Sequence, residues 1–135
     1  MNATDLDTLM HDTARDAVDV ARQEFDIALD YSKESVARVD DILLGFLDRY
    51  RDQALEDSAV FTLCNVFGAY VGEVFRNHFG GDWHYDKSNP DAPHVLLEIG
   101  NRSYAFAGIC YERLVNDSDV SVNAYFLHAA SQHSQ

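Results

Sequence analysis

The sequence predicts an α+β fold, in which N-terminal helices pack on a small three-stranded antiparallel meander and C-terminal helices follow. Apolar residues recur with helical spacing as far as Phe79. After Gly80-Gly81 the period changes to two, which is typical of strands. Helical spacing returns from Phe106. With 135 residues, no internal repeat and no low-complexity tract, the chain is expected to form a single domain over residues 1–135.

Two helices are predicted in the first part of the chain. The first begins at Thr4, a residue type that caps helices, and extends to about Arg22. The stretch "FDIALDYS" breaks the helical spacing and is predicted to be irregular or β-like. Ser32 is a suitable N-cap for the second helix, which we expect to end at about Gln53. The apolar stripe of this helix consists of Val36, Val39, Leu43, Phe46, Leu47 and Tyr50.

A third helix is predicted to begin at Asp57 or Ser58 and to end at the double glycine, which resembles a glycine C-cap. Its first face is large and apolar, with Val60, Leu63, Cys64, Phe67, Val71, Val74 and Phe75. The strand that follows directs Trp83 and Tyr85 to one side and His84 and Asp86 to the other.

The loop "KSNPDAP" separates this strand from a second one, in which Val95, Leu97 and Ile99 alternate. Gly100-Asn101 has the chemistry of a tight hairpin, so a third strand is expected from Arg102 to about Ala105. Residues 106–114 return to helical spacing. The stretch 119–131 fits either a strand or a helix. We predict a helix, for which Asp117-Ser118 can provide the cap.

Charge and cysteine content limit the classes of function. The chain has 23 acidic and 10 basic residues, a formal net charge of -13, which repels nucleic acid and anionic membranes and attracts basic surfaces. No signal-peptide pattern and no long apolar run is present, so no membrane association is expected. Cys64 and Cys110 lie in apolar contexts, which predicts reduced core thiols and a cytoplasmic location.

The third helix has a second face of small residues. Gly68 and Gly72 lie on it, and each costs about 1 kcal/mol relative to alanine in a helix interior. We therefore expect a packing groove for a neighbouring backbone, with a bound partner or ligand as the alternative. The adjacent Glu73 would need a partner if it is buried, and Arg102 and Arg113 are the candidates. A catalytic role for Glu73 is an open alternative, for which the sequence shows no evident second catalytic residue.

Four potential metal ligands lie at the end of this helix and in the strand that follows. His78, Asp82, His84 and Asp86 combine nitrogen and carboxylate ligands that suit zinc or a related ion. Their spacing matches no established zinc motif, so we expect no native metal and no cofactor. No nucleophile motif or phosphate-binding glycine loop is present either, and an enzyme is not expected.

Three segments, "LDYSKESVARVDDILL", "FGAYVGEVFRNHFGGDW" and "YERLVN", resemble a bacterial domain family of unknown function, over about residues 28 to 126. That family has an extended L-D-Y/F-S entry, a G-x-Y-x-G-E helix and a G-x-W strand start. The matching positions here are Leu29, Asp30, Tyr31, Ser32, Gly68, Tyr70, Gly72, Glu73, Gly81 and Trp83. The resemblance implies a small intracellular protein without an assigned activity, and it does not include His78, His84 or Asp86.

Together these features favour an acidic cytoplasmic module that binds a protein with a basic surface. The narrowest version is an immunity-type inhibitor of a basic toxin or effector. The residues expected to contact the partner are Asp40, Asp41, Asp48 and Asp52 of the second helix, with Gly68, Tyr70, Gly72, Glu73 and Trp83. The alternatives are a small enzyme or metal protein that uses the residues named above, and a homo-oligomeric structural or small-ligand module, for which a homodimer is the simplest form.

Overall fold

The computed structural model describes residues 3–49, 56–86, 94–116 and 119–133. Three helices are followed by three strands and then by two further helices, as the sequence predicts, which confirms the α+β class. In chain order these are α1 (Ala3–Phe25), a 3-10 turn (Lys33–Ser35) that leads into α2 (Val36–Arg49), α3 (Asp57–Phe79), β1 (Asp82–Asp86), β2 (His94–Ile99), β3 (Arg102–Tyr104), α4 (Phe106–Tyr111) with a π-helical extension (Glu112–Asn116), and α5 (Val122–Ser131). The predicted end of the second helix at Gln53 and the loop "KSNPDAP" lie outside the described residues.

The sheet is an antiparallel meander in the order β1-β2-β3. Its register pairs Trp83 with Leu97, and Leu97 with Tyr104, and all three side chains are buried on the face that contacts the helices. The opposite face carries polar side chains such as His84 and Glu98, which are exposed. The predicted alternation is therefore correct, and it arises because successive side chains of a strand point to opposite faces.

The central element of the core is α3, which contacts α1 on one side and α4 on another. Phe75 lies at the centre of an aromatic cluster with Phe79, Tyr104, Phe106 and Phe126. By length and composition, α3 is also the one described helix that is apolar enough to cross a membrane. However, 67% of that apolar window is buried inside the domain, and the core helix of a folded domain has the same properties.

The irregular segment between α1 and α2 is held by a buried tyrosine. The Tyr70 hydroxyl accepts a hydrogen bond from the backbone N–H of Tyr31 (2.9 Å) and shares another with the Ser35 hydroxyl (2.6 Å). Tyr31 has a φ of 64°, which is strained for a non-glycine residue, so this contact stabilises an otherwise unfavourable turn. Ser32 caps the 3-10 turn as predicted, because its hydroxyl accepts from the backbone N–H of Ser35.

Residues 122–131 form a helix, which confirms that prediction, but the N-cap is Ser121. The expected cap, Asp117-Ser118, lies outside the described residues. A second cap comes from a distant carboxylate: Asp40 accepts hydrogen bonds from the backbone N–H groups of Val122 (2.7 Å) and Asn123 (2.9 Å) and from the Ser121 hydroxyl. The prediction that Asp40 belongs to an exposed acidic surface is therefore wrong: it is 8% exposed and also pairs with Arg113.

Candidate functional site

The glycines of α3 provide room for neighbouring elements. A Cβ atom at Gly68 would lie 2.5 Å from the Ala107 Cα of α4, and one at Gly72 would overlap the indole ring of Trp83. Both glycines are buried, as are Tyr70 and Trp83. The packing prediction is thus confirmed. Ala107 of α4 covers part of Gly68 and the Trp83 ring covers Gly72, while Gly68 and Trp83 also line the groove described below. The expectation that these residues contact a partner stays a prediction.

Glu73 is buried beside this contact, and its side chain is 7% exposed. Its Oε2 accepts hydrogen bonds from Trp83 Nε1 (3.1 Å) and from Arg76 Nη1 (3.1 Å), while its Oε1 lies 3.5 Å from His11 Nδ1 of α1. The predicted partners of Glu73 are wrong. Arg113 binds Asp40 instead, and Arg76, one helical turn after Glu73, supplies the positive charge.

An open polar cavity of about 560 Å³ lies against Glu73, and we call it the Glu73 pocket. Besides its hydrogen bond to Glu73, Arg76 donates to the Gly81 carbonyl (3.2 Å) and lies 3.6 Å from Asp7. The guanidinium of Arg76 therefore bridges two carboxylates and the glycine turn. The residues that line this pocket are Asp7, Thr8, His11, Glu73, Arg76, Asn77, Gly80 and Gly81.

A second cavity, of about 320 Å³ and mostly apolar, lies between α1, α3 and the sheet; we call it the α1 groove. Leu9 and Tyr85 line it, and they are 46% and 42% exposed. Two large apolar side chains with this exposure beside one cavity make the groove a candidate surface for binding another molecule. The lining residues of the groove are Leu9, Met10, Thr13, Asn65, Gly68, Ala69, Trp83, Tyr85, Val95 and Ala107.

The acidic residues beside this groove belong to α1. Asp5, Asp12, Asp16 and Asp19 are exposed, and their spacing of seven, four and three residues aligns them on one helical face, which we call the acidic stripe. Leu9 lies four residues after Asp5 and three before Asp12, so it is the apolar member of the same face. This spacing is present in the sequence, but the acidic partner surface was predicted on the second helix and not on α1.

The acids of the second helix have different positions. Asp41 and Asp48 are exposed on α2, whereas Asp40 is buried on the other face, against α5. Asp52 lies outside the described residues. Only part of the predicted acidic surface of α2 is therefore present in the described structure, and it is less extensive than the acidic stripe of α1.

The four residues considered for metal binding have separate surroundings. His78 Nε2 lies 3.2 Å from the Tyr31 carbonyl at the end of α3, while His84 Nδ1 lies 3.3 Å from Glu98 across the sheet. Asp82 is exposed at the start of β1, and Asp86 is partly buried at its end. Within the described parts of the chain, no three His, Cys, Asp or Glu side chains form a group that could hold a metal ion.

The two cysteines are free and buried. Burial in an apolar environment disfavours the thiolate, which raises the pKa of the Cys64 thiol to about 12 and that of Cys110 well above its ordinary value. Because the thiolate is the reactive form, neither side chain is arranged for nucleophilic chemistry. The burial of both side chains agrees with the prediction that Cys64 and Cys110 are core residues.

Comparisons with protein-family models, with curated proteins and with solved structures find no match to this chain. The resemblance to an uncharacterised bacterial family stays a prediction. The α1 groove and the acidic stripe are the features of the described structure that bear most directly on function.

Proposed function

We propose that this chain is a protein-binding module whose interface consists of the α1 groove and the acidic stripe. The observation that carries the proposal is the position of Leu9, which is 46% exposed, lines the groove and lies within the acidic face of α1. An apolar centre with a charged border is the usual organisation of a protein interface. Tyr85 lies on the other side of the groove, and tyrosine is one of the three residue types enriched among energetically dominant interface contacts.

The partner favoured by this surface has a basic region around an apolar anchor. The anchor would enter the groove over the small residues Gly68, Ala69 and Ala107, and the basic residues would contact Asp12, Asp16 and related carboxylates. A second copy of the chain suits the surface less well, because a net charge of -13 and two facing acidic stripes would repel. The two free thiols favour a reducing compartment such as the cytoplasm.

An immunity-type inhibitor is the narrower form of this proposal, supported by the small size and acidity of the chain. It requires the partner to be a basic toxin or effector whose activity falls when the chain binds. An inhibition assay with the identified partner distinguishes this form from a module that binds without inhibition.

The test uses a partner recovered on the immobilised chain, followed by kinetics with the purified pair. Replacing Asp12, Asp16 and Asp19 together by asparagine should slow association about tenfold at low salt, and high salt should produce the same reduction in the unaltered chain. Leu9→Ala should mainly accelerate dissociation, by about tenfold, because an apolar anchor is truncated at the interface centre.

Leu127→Ala is the matched control, since Leu127 is another exposed leucine but lies on α5, away from the groove. It should leave both rates unchanged. Equal effects of the Leu9 and Leu127 variants would refute the proposed interface. An association rate that depends neither on salt nor on the three aspartates would refute it as well.

A further inference from the structure

We propose that the α1 groove receives one aromatic side chain of the partner, a tryptophan or a tyrosine, with a basic residue next to it in the partner's chain. This inference rests on the proposed function, because it names the anchor that the groove would bind. It goes further by selecting an aromatic ring over an aliphatic side chain, and a ring with a polar hydrogen over phenylalanine. The walls, the floor, the polar rim and the surrounding charge of the groove support it.

The walls of the groove favour a ring. Trp83 and Tyr85 lie two residues apart on β1, so their side chains share one face of the sheet, and both line the groove. Met10 lines it from α1. Aromatic rings attract one another beyond the effect of buried area, and a thioether sulfur also makes favourable contacts with ring edges. An aliphatic anchor would gain neither of these interactions.

The floor of the groove consists of small residues. Gly68, Ala69 and Ala107 have no side chain beyond Cβ, so a ring can approach the backbone of α3 and α4 closely. The cavity of about 320 Å³ is near the lower end of the range of about 300–1,000 Å³ that is usual for pockets holding small organic molecules. The groove therefore has room for one large side chain.

The polar atoms at the rim select a ring that carries a hydrogen-bond donor. The Thr13 hydroxyl donates its hydrogen to the Leu9 carbonyl of the same helix (2.7 Å). Its oxygen therefore offers only lone pairs to a molecule in the groove. An indole N–H or a phenol O–H can donate to this oxygen, whereas phenylalanine has no such donor. Asn65, exposed on α3, adds the acceptor of its amide carbonyl.

The charge beside the groove favours a basic neighbour of the anchor. Asp16 lies seven residues after Leu9 and three after Thr13, so it belongs to the adjacent part of the same helical face. Asp12 lies three residues after Leu9, and both carboxylates are exposed. None of the described residues that line the groove is basic. An arginine or lysine beside the anchor is therefore attracted to the acidic stripe and meets no opposing charge in the groove.

The binding test uses short peptides and the tryptophan of the chain as a reporter. The chain contains one Trp, and Trp83 lines the groove, so a single indole resonance of the isotopically labelled chain reports on occupation. Titration with unlabelled N-acetyl-Arg-Trp-Arg-amide at constant ionic strength should shift this resonance saturably, with a submillimolar dissociation constant. Leucine in place of the peptide's tryptophan should weaken binding about tenfold. Phenylalanine should weaken it about fivefold, because one hydrogen bond is lost.

Three substitutions in the chain assign these effects to the groove. Thr13→Val removes the acceptor, so it should weaken the tryptophan peptide about fivefold and leave the affinity for the phenylalanine peptide unchanged. Leu9→Ala should weaken all three peptides, because Leu9 lines the groove. Leu127→Ala, the matched control on α5, should change none of the affinities. Glutamate in place of both arginines of the peptide should abolish the saturable shift, because the acidic stripe repels it.

The outcomes separate this inference from the proposed function. If the leucine peptide binds as tightly as the tryptophan peptide, and Leu9→Ala weakens both, the groove binds a partner but the aromatic anchor is refuted. If Thr13→Val weakens the tryptophan and phenylalanine peptides equally, the selection of a ring donor is refuted. No saturable shift with any peptide, or a shift that Leu9→Ala leaves unchanged, would also overturn the inference. The association kinetics of the recovered partner test the proposed interface independently of these peptides.

Discussion

Replacing Gly68 by alanine has two effects on the free energy of unfolding, and the two effects have opposite signs. In an isolated helix the change stabilises by about 1 kcal/mol, because alanine has the higher helix propensity. In this domain the new Cβ would lie 2.5 Å from the Ala107 Cα and 2.6 Å from its backbone nitrogen. Ordinary contacts begin at 3.4 Å, so α4 would have to move away from α3 by about 0.9 Å.

Because the contacting atoms are backbone, no rotamer change can relieve the overlap. Overpacking of this kind costs about 3 kcal/mol at the upper end of its usual range. After subtraction of the gain in helix propensity, we expect the free energy of unfolding to fall by about 2 kcal/mol. For a domain of this size that corresponds to a decrease in Tm of about 6–8 °C.

The assay is thermal and urea unfolding followed by circular dichroism, with Gly108→Ala as the matched control. Gly108 is an exposed helical glycine whose added Cβ would meet Ala105 Cβ at an ordinary 3.4 Å. The control should gain stability, by up to about 1 kcal/mol. If Gly68→Ala is as stable as the unaltered chain, or more stable, the close approach of α3 and α4 is not the reason for the glycine.

Three further predictions concern the buried polar groups and thiols. Asp40→Ala should lower the free energy of unfolding by about 3 kcal/mol in urea titration, because it removes a nearly buried carboxylate that pairs with Arg113 and caps α5; a loss below about 1 kcal/mol would contradict this. Tyr70→Phe should cost about 2 kcal/mol through two lost buried hydrogen bonds, and an unchanged urea midpoint would show that they contribute nothing. Cys64 and Cys110 should not react with a chromogenic disulfide reagent at pH 8 until the chain unfolds, since burial raises the pKa of both thiols; rapid reaction in the folded state would refute their burial.

The elements that local patterns determine were predictable. The span of α3, its end at Gly80, the three strands and the hairpin at Gly100 follow from apolar spacing and glycine conformation, which are properties of neighbouring residues. The 119–131 stretch was correctly predicted as helical, although its alternation also suited a strand.

The misassigned polar residues have partners far away in the sequence. Asp40 caps a helix that lies more than 80 residues later in the chain. The Tyr70 hydroxyl is hydrogen-bonded to a turn that lies almost 40 residues earlier. No local pattern specifies such pairs. One signal was present for Asp40, because it follows Val36 by four residues and precedes Leu43 by three, which puts a carboxylate inside the apolar stripe of α2. A charged residue in that position predicts a buried partner.

The candidate surfaces depend on tertiary structure even more strongly. The α1 groove combines residues of α1, α3, α4 and the sheet, and the Glu73 pocket requires the contact between α1 and the end of α3. The acidic stripe alone was readable from sequence, since its spacing is local to α1.

The most direct test of the proposed protein interface is site-specific photo-crosslinking in the cell of origin. A photoreactive amino acid would replace Leu9 at the groove in one sample and Leu127 on α5 in the control. We expect position 9 to crosslink to one basic protein and position 127 not to crosslink to it. Replacing Asp12, Asp16 and Asp19 by asparagine should reduce the crosslinked yield. Crosslinking of the same protein from both positions, or crosslinking at position 9 only between copies of this chain, would contradict a basic partner in the α1 groove.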